Sequence, residues 1–286
     1  MNVIFVFNGL GNQMSQYALY LHKKALGQKV RCVFKNTAHN GIELNRLFGI
    51  DIDNSSFSSL YKMLQLLFSY MKCRSYLRGV KWILNKLHIN GFIEEDDYSY
   101  NSEILEERVG LNIYAGGWHH YKYIEPIGET IRELYKFPVI EDEANIEIIK
   151  AASLKNSVAI HIRRGDYLNG KFGAVCNETY YKNSIQYIES LIDSPKYYVF
   201  SNDMEWSREF LKGKDAVFVD WNVKEDSWKD MALMKSFKKL IIANSTFSWW
   251  AGWLGHDNLV LCPPYFVGGE ENSDIYPPEW VKIKNR

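Results

Sequence analysis

The sequence has no uninterrupted apolar run of membrane-spanning length, although apolar residues make up 47% of its 286 positions. No transmembrane helix is therefore expected. It has no C-x-x-C pair. Cys32, Cys73, Cys176 and Cys262 are scattered, which argues against a zinc site or a disulfide framework and predicts reduced, buried thiols. It has no net charge, with 34 basic and 34 acidic side chains, so no global field draws it to nucleic acid. Nor is there a basic stretch ahead of the strand-like Val3-Ile4-Phe5-Val6-Phe7, so the expectation is a cytoplasmic protein without a signal peptide. Internal repeats and low-complexity tracts are absent. Acidic residues are missing from Asn54 to Ile93, where Lys62, Lys72, Arg74, Arg78, Lys81 and Lys86 interleave with leucines and aromatics. This segment, about residues 55–92, reads as basic amphipathic helix. Two uses stay open: surface helices packed on a domain, or peripheral docking on an anionic membrane leaflet or a lipid-linked pyrophosphate.

What is present is a strand-helix rhythm. Val3–Phe7 is followed by a glycine turn, Asn8-Gly9-Leu10-Gly11-Asn12, and then by Met14, Tyr17, Ala18, Leu21 and Ala25 at helical spacing. Val30–Phe34 supplies the next strand, so the chain opens as a βαβ unit. Met14 occupies the place of the third glycine of a dinucleotide fingerprint, which gives NAD binding little support. In the second half, Val158–Ile162, Tyr197–Ser201, Val217–Asp220, Leu240–Ala243 and Leu259–Cys262 are short β-rich runs. Tyr180–Ile192 has helical spacing, and Ser227-Trp228-Lys229-Asp230 offers a capping box. The alternation predicts an α/β protein with doubly wound parallel sheets and ligands beyond the strand C-termini. A charged run, Glu141-Asp142-Glu143, suggests a division into residues 1–150 and 151–286.

Three motifs follow predicted strands. His161-Ile162-Arg163-Arg164-Gly165-Asp166-Tyr167 puts two guanidiniums at a strand end. Arginine forks match phosphate oxygens and stay charged at any working pH, so they suit a departing nucleoside diphosphate. The competing use is an arginine pair bridged to Asp166 in a turn. Asn244-Ser245-Thr246-Phe247-Ser248-Trp249-Trp250 places small hydroxyls where a helix begins, and helix N-termini attract anions; an ordinary N-cap before an aromatic core helix explains the same pattern. Ser201-Asn202-Asp203 sets a carboxylate at the same rim, either to accept from the N–H groups of guanine or to cap the helix carrying Trp206 and Phe210.

Together these segments, with Gly9-Leu10-Gly11-Asn12-Gln13 and the aromatic segment Gly117-Trp118 with Tyr123, resemble the ordered motifs of the glycosyltransferase family 11 α-1,2-fucosyltransferases across nearly the whole chain. The resemblance implies a GT-B fold of two Rossmann-like domains with the donor cleft between them. It implies inverting, metal-independent transfer of fucose from GDP-fucose to the 2-hydroxyl of a galactose residue, in surface polysaccharide or O-antigen synthesis. No cofactor is expected beyond the donor substrate. The galactose-terminated acceptor is expected on a lipid carrier at the inner leaflet. Carried over by position, Arg163 meets the β-phosphate, and Arg164 and Asp166 shape its loop. Ser245 and Thr246 hold the diphosphate, Asp203 reads guanine, and Gly11, Asn12, His161, Asn244 and Phe247 complete the donor set. Arg163, Asp166 and Asn12 form the catalytic group, and Trp118, His119 and Tyr123 are acceptor candidates.

Other readings compete. Trp118, Trp249, Trp250 and Trp253 could form a sugar platform in a non-catalytic binding protein, and a different base would fit an enzyme with another nucleotide sugar. Asp51-Ile52-Asp53 matches a short metal-binding pattern but lies far from the phosphate motifs. His119 and His120, adjacent in a presumed strand, would point apart and have no third ligand in view.

Overall fold

The apolar run at the N-terminus becomes β1 (Asn2–Val6), buried along its whole length, in a computed structural model that describes residues 1–35, 40–52, 92–94, 98–167, 172–173, 175–268 and 273–285. Burial on both faces is what a central parallel strand requires. β1 pairs in parallel with β2 (Val30–Phe34) and β4 (Asn112–Ala115), and β4 pairs with β3 (Phe92–Glu94), giving the order β2-β1-β4-β3. Between β1 and β2 runs α1 (Leu10–Ala25), which buries Met14 and Ala18, while α2 (Leu44–Phe48) and α3 (Gly128–Leu134) follow later in the chain. Tyr135, just past α3, anchors α1 through a 2.8 Å hydrogen bond from its hydroxyl to the Met14 carbonyl. The basic segment anticipated at about 55–92 lies almost wholly outside the described residues.

The chain divides into two units, Met1–Lys136 and Phe137–Arg286. The second begins with α4 (Glu143–Ala152), and the Glu141-Asp142-Glu143 run is its start: Asp142 caps it, accepting from the Asn145 N–H at 3.1 Å. Then come β5 (Ser157–Ile162), α5 (Glu178–Leu191), β6 (Lys196–Ser201), α6 (Met204–Phe210) and β7 (Ala216–Val219). After these follow α7 (Trp228–Lys235), β8 (Lys239–Ile241), α8 (Thr246–Leu254), β9 (Leu259–Cys262) and β10 (Val281–Lys282). All described pairings are parallel, in the order β10-β9-β8-β5-β6-β7. The chain steps outward from β5 to β6 and β7 on one side and from β8 to β9 and β10 on the other. The point of reversal, between β5 and β8, is where an open α/β sheet forms its ligand crevice.

One expectation is corrected and one competing reading falls. The capping box at Ser227 does not form: Ser227 has helical backbone angles and its side chain does not cap α7. Asp230, its intended partner, accepts instead from Asn222 Nδ2 at 2.8 Å, and Asn222 exchanges amide bonds with Asn145. The tryptophan platform is also absent. Trp118, Trp249, Trp250 and Trp253 are 1, 1, 0 and 8% exposed, and a sugar needs a ring face in solvent. α8 buries Trp249, Trp250, Ala251, Trp253 and Leu254 because it is a core helix.

Candidate active site

The β5–β6 ladder ends at the pair Ile162–Ser201, so Arg163 is the first residue released from the sheet. Its backbone N–H is taken up by the Tyr181 hydroxyl at 3.3 Å, and that hydroxyl donates to the His161 carbonyl at 3.2 Å. The Arg163 guanidinium lies 5.1 Å from the Tyr167 ring centre. Arg164 is held differently. Its N–H donates to Asn202 Oδ1 at 2.9 Å, its Nε donates to Asp203 Oδ2 at 3.1 Å, and its guanidinium stacks 4.0 Å above Trp206. The chain then turns at Gly165, which has φ +34° and where a Cβ would lie 2.6 Å from Asn202 Nδ2. Only glycine fits there without displacing the neighbouring amide.

The described ion partner of Arg164 is thus Asp203 on the adjacent strand end, and the Asp166 side chain lies outside the described residues. Asp203 does two things at once: its Oδ1 caps α6 by accepting from the Trp206 N–H at 3.2 Å, while Oδ2 binds Arg164. Both carboxylate oxygens retain lone pairs for a further donor.

Across the reversal point, β8 leads through Ala243 and Asn244 to Ser245, the N-cap residue of α8, whose side chain makes no capping bond. The first-turn N–H groups of a helix have no intrahelical partner and carry partial positive charge, so this end of α8 suits an anion. Ser245 and Thr246 lie in that turn, and Phe247 packs against the His161 ring at 6.0 Å. His161 is buried, and its Nδ1 meets Ser248 Oγ at 2.7 Å. Burial, with the Arg163 charge adding to it, holds the imidazole down at about 3, so it is neutral at working pH. It ties the arginine strand to the anion-facing helix. Asn244 is an interior brace: its Nδ2 donates to the Phe172 and Phe266 carbonyls, both at 3.0 Å, and its N–H to Cys176 Sγ at 3.2 Å.

In the first unit the glycine turn is stiffened from within α1. Asn8 adopts φ +67°. Gln13 donates to the Asn8 and Gly41 carbonyls, both at 2.7 Å, and accepts from the Glu43 N–H at 2.9 Å. Gln16 accepts from the Phe7 N–H at 2.8 Å and donates to the Gly116 carbonyl at 3.0 Å, linking the ends of β1 and β4. Gly11 and Asn12 occupy the first turn of α1 beside this brace, Gly11 buried and Asn12 half-buried. Trp118, His119 and Tyr123 follow β4, and all three are interior residues. Trp118, at φ +56°, packs edge-on against Tyr114 and Tyr123. His119 and His120 lie in irregular chain rather than a strand. A Cβ on Gly117 would fall 2.2 Å from His119 Nε2, so the buried ring covers that glycine. Burial holds the His119 imidazole at about 3.

Sequence reasoning omitted Tyr181, Asn202 and Gln16 as site-building residues. The signal for Gln16 was available in the polar face of a helix whose first turn is fixed; Tyr181 lies on a separate helix with no local cue. Among the described residues no group of three His, Cys, Asp or Glu side chains gathers as a metal site would require, and no helix is long and apolar enough to cross a membrane.

Comparison with known proteins agrees with this architecture. An alpha-1,2-colitosyltransferase of Escherichia coli is 32% identical, with 96% of each chain covered. The O-antigen biosynthesis glycosyltransferase WbnK of Escherichia coli is 29% identical over 96% of this chain and 98% of that one. NodZ alpha-1,6-fucosyltransferase, in a crystal structure soaked with GDP-fucose, matches with a TM-score of 0.50 and 13% identity over 89% of this chain and 92% of that one; the likeness is one of fold, the GT-B class. The profile of Glycosyl transferase family 11 matches residues 72–284, and the chain belongs to that family.

Proposed function

We propose that this glycosyltransferase moves L-fucose, or a sugar differing from it by one deoxygenation, from its GDP conjugate to the 2-hydroxyl of a galactose residue with inversion. The observation that carries the reading is the placement, on the ends of three neighbouring strands β8-β5-β6, of the N-terminus of α8 after β8, Arg163 and Arg164 after β5, and Asp203 after β6, with Asp203 paired to Arg164.

Arg163 and the first turn of α8 with Ser245 and Thr246 would hold the diphosphate, and Asp203 would offer its remaining lone pairs to guanine. As the acceptor oxygen bonds to the anomeric carbon, the bond to the β-phosphate breaks and its electron pair leaves on GDP. The acceptor proton passes to a carboxylate, for which Asp166 is the candidate, or to solvent. Stabilising the departing charge is the task for which this arrangement is built, since fixed donors in a partly dry site lower the barrier without reorganising. By the family resemblance Gly11 and Asn12 would also bind the donor, with Asn12 in the catalytic group. His161 and Asn244 are assigned as braces, because their side-chain bonds are to protein groups. The burial of Trp118, His119 and Tyr123 favours a supporting role beneath an acceptor surface. The proposed reaction needs no metal and takes place on the cytoplasmic side, with a lipid-linked galactose-terminated glycan as acceptor.

Fucose and colitose differ by a single hydroxyl, and a site that hydrogen-bonds that group rejects the deoxy sugar strongly, whereas one that does not accepts both. The test is turnover of GDP-fucose and GDP-colitose on galactose-terminated oligosaccharides in EDTA, for wild type and Arg163→Ala. Turnover in EDTA that falls by at least about 100-fold in the variant supports the mechanism, and the faster donor identifies the sugar. Abolition by EDTA, or undiminished turnover in Arg163→Ala, refutes it.

A further inference from the structure

We infer that Tyr181 is the positioning residue of the arginine loop, holding Arg163 by its hydroxyl and Arg164 by way of its ring; the inference rests on the reading of that loop as the diphosphate site. Tyr181 lies on α5, outside every motif that suggested the function. Its hydroxyl spans the Ile162 peptide, donating to the His161 carbonyl at 3.2 Å and accepting from the Arg163 N–H at 3.3 Å. That N–H is the first beyond the β5–β6 ladder, so the hydroxyl extends the ordered backbone by one residue where the arginines begin.

The ring does the second part. It meets Trp206 at 6.2 Å and Phe210 at 6.1 Å, and Trp206 is stacked on Phe210 at 4.6 Å while supporting the Arg164 guanidinium at 4.0 Å. One buried side chain therefore reaches both arginines through different atoms. Filling the core requires only the ring. The hydroxyl's two bonds tie the first N–H of the loop, on Arg163, to the His161 carbonyl of β5, and a loop displaced by about 1 Å loses its grip on a reacting group. Burial holds the phenol well above its usual range, so it remains a neutral O–H at any working pH.

The test is Tyr181→Phe, which keeps the ring and deletes the hydroxyl, read by calorimetric titration with GDP and with GMP. The ratio of the two affinities reports the contact to the β-phosphate. In wild type this ratio is expected at about 10 to 100, from charge-assisted bonds to the second phosphate. In Tyr181→Phe it should fall about fivefold or more, with GMP affinity within about twofold and melting within about 3 °C. Ser184→Ala is the matched control: it deletes a buried hydroxyl of the same helix, bonded at 2.8 Å to the Tyr180 carbonyl of that helix, and should leave the ratio unchanged. An unchanged ratio in Tyr181→Phe, or a parallel fall of GDP and GMP affinity tracking a lower melting temperature, would make Tyr181 a packing residue and overturn the inference. A wild-type protein that binds GDP no better than GMP would refute the diphosphate reading itself, and the inference with it.

Discussion

Gly165→Ala tests how tightly the arginine loop is constrained. Gly165 has φ +34°, and the added Cβ would lie 2.6 Å from Asn202 Nδ2, while Oδ1 of the same amide accepts the Arg164 N–H at 2.9 Å. A left-handed alanine costs about 1–2 kcal/mol. Rotating the Asn202 amide away sacrifices a backbone hydrogen bond worth about 1 kcal/mol. The sum, about 2–3 kcal/mol, is more than a loop held largely by side-chain contacts can absorb unchanged. It should therefore appear as displaced arginines, with kcat/KM for the GDP-sugar down about 30- to 150-fold and melting lowered by at most about 2 °C. Initial rates of GDP release and calorimetric melting read the two quantities separately. The variant Asn202→Ala removes the clash together with the acceptor, so the double variant should be better than additive by about 1 kcal/mol, or about fivefold. Strict additivity, or Gly165→Ala within about threefold of wild type, would refute the constraint.

Asp203→Asn keeps a side chain able to cap α6 but removes the charge that holds Arg164, so the KM for the GDP-sugar should rise about tenfold with melting within about 2 °C, since caps are nearly equal; a large fall in melting with KM unchanged would show that the pair is structural. In the second unit, buried His161 and half-buried Asp230 oppose each other in acid. His161, held at about 3, loses stability as pH falls below its ordinary range, whereas Asp230, raised to about 7 by burial, loses stability as pH rises from its ordinary range through 7. Between about pH 4.5 and 6 the two nearly cancel, so Asp230→Asn should make the unfolding free energy of this unit fall by about 1.4 kcal/mol per pH unit on acidification relative to wild type. Denaturant titrations at several pH values check this, and parallel curves for variant and wild type would exclude it.

Five of the six strands of the second sheet, β5 to β9, were legible because each is a short β-branched or aromatic run, and each was located to within one or two positions. β3, β4 and β10 were not. β4 opens with Asn112, whose amide binds Asn2 and the Arg108 carbonyl, and β10 has two residues, so neither shows a period. The helix α5 was legible by spacing but begins two residues earlier, because Asn177 caps it by accepting from the Tyr180 N–H at 2.9 Å. The arginines were found as residues, but the partner of Arg164 was not, because it depends on β6 lying beside β5. For the tryptophans of α8 a sugar platform and an aromatic core helix both fitted the sequence, since a ring suited to stacking on a sugar is equally suited to packing on a neighbouring ring, and burial decides for the core.

The two units use one device, a strand that ends in a turn before a helix, but stiffen it by different means. In the first, Gln13 and Gln16 on α1 reach back to Asn8 and Phe7, so the brace lies within a few residues of the turn it fixes. A sequence window of ten residues contains both parts, and the Gly9-Leu10-Gly11-Asn12-Gln13 pattern can be recognised by itself. In the second, the turn at Gly165 is fixed from elsewhere: Tyr181 from α5, Asn202 and Asp203 from the end of β6, and Ser248 from α8 through His161. These parts are up to 87 positions apart, and only the sheet order brings them together. A loop braced in this way depends for its position on residues of β6, α5 and α8 as well as on its own. Substitutions at Tyr181 or Asn202 should therefore alter phosphate recognition as strongly as substitutions beside the arginines themselves.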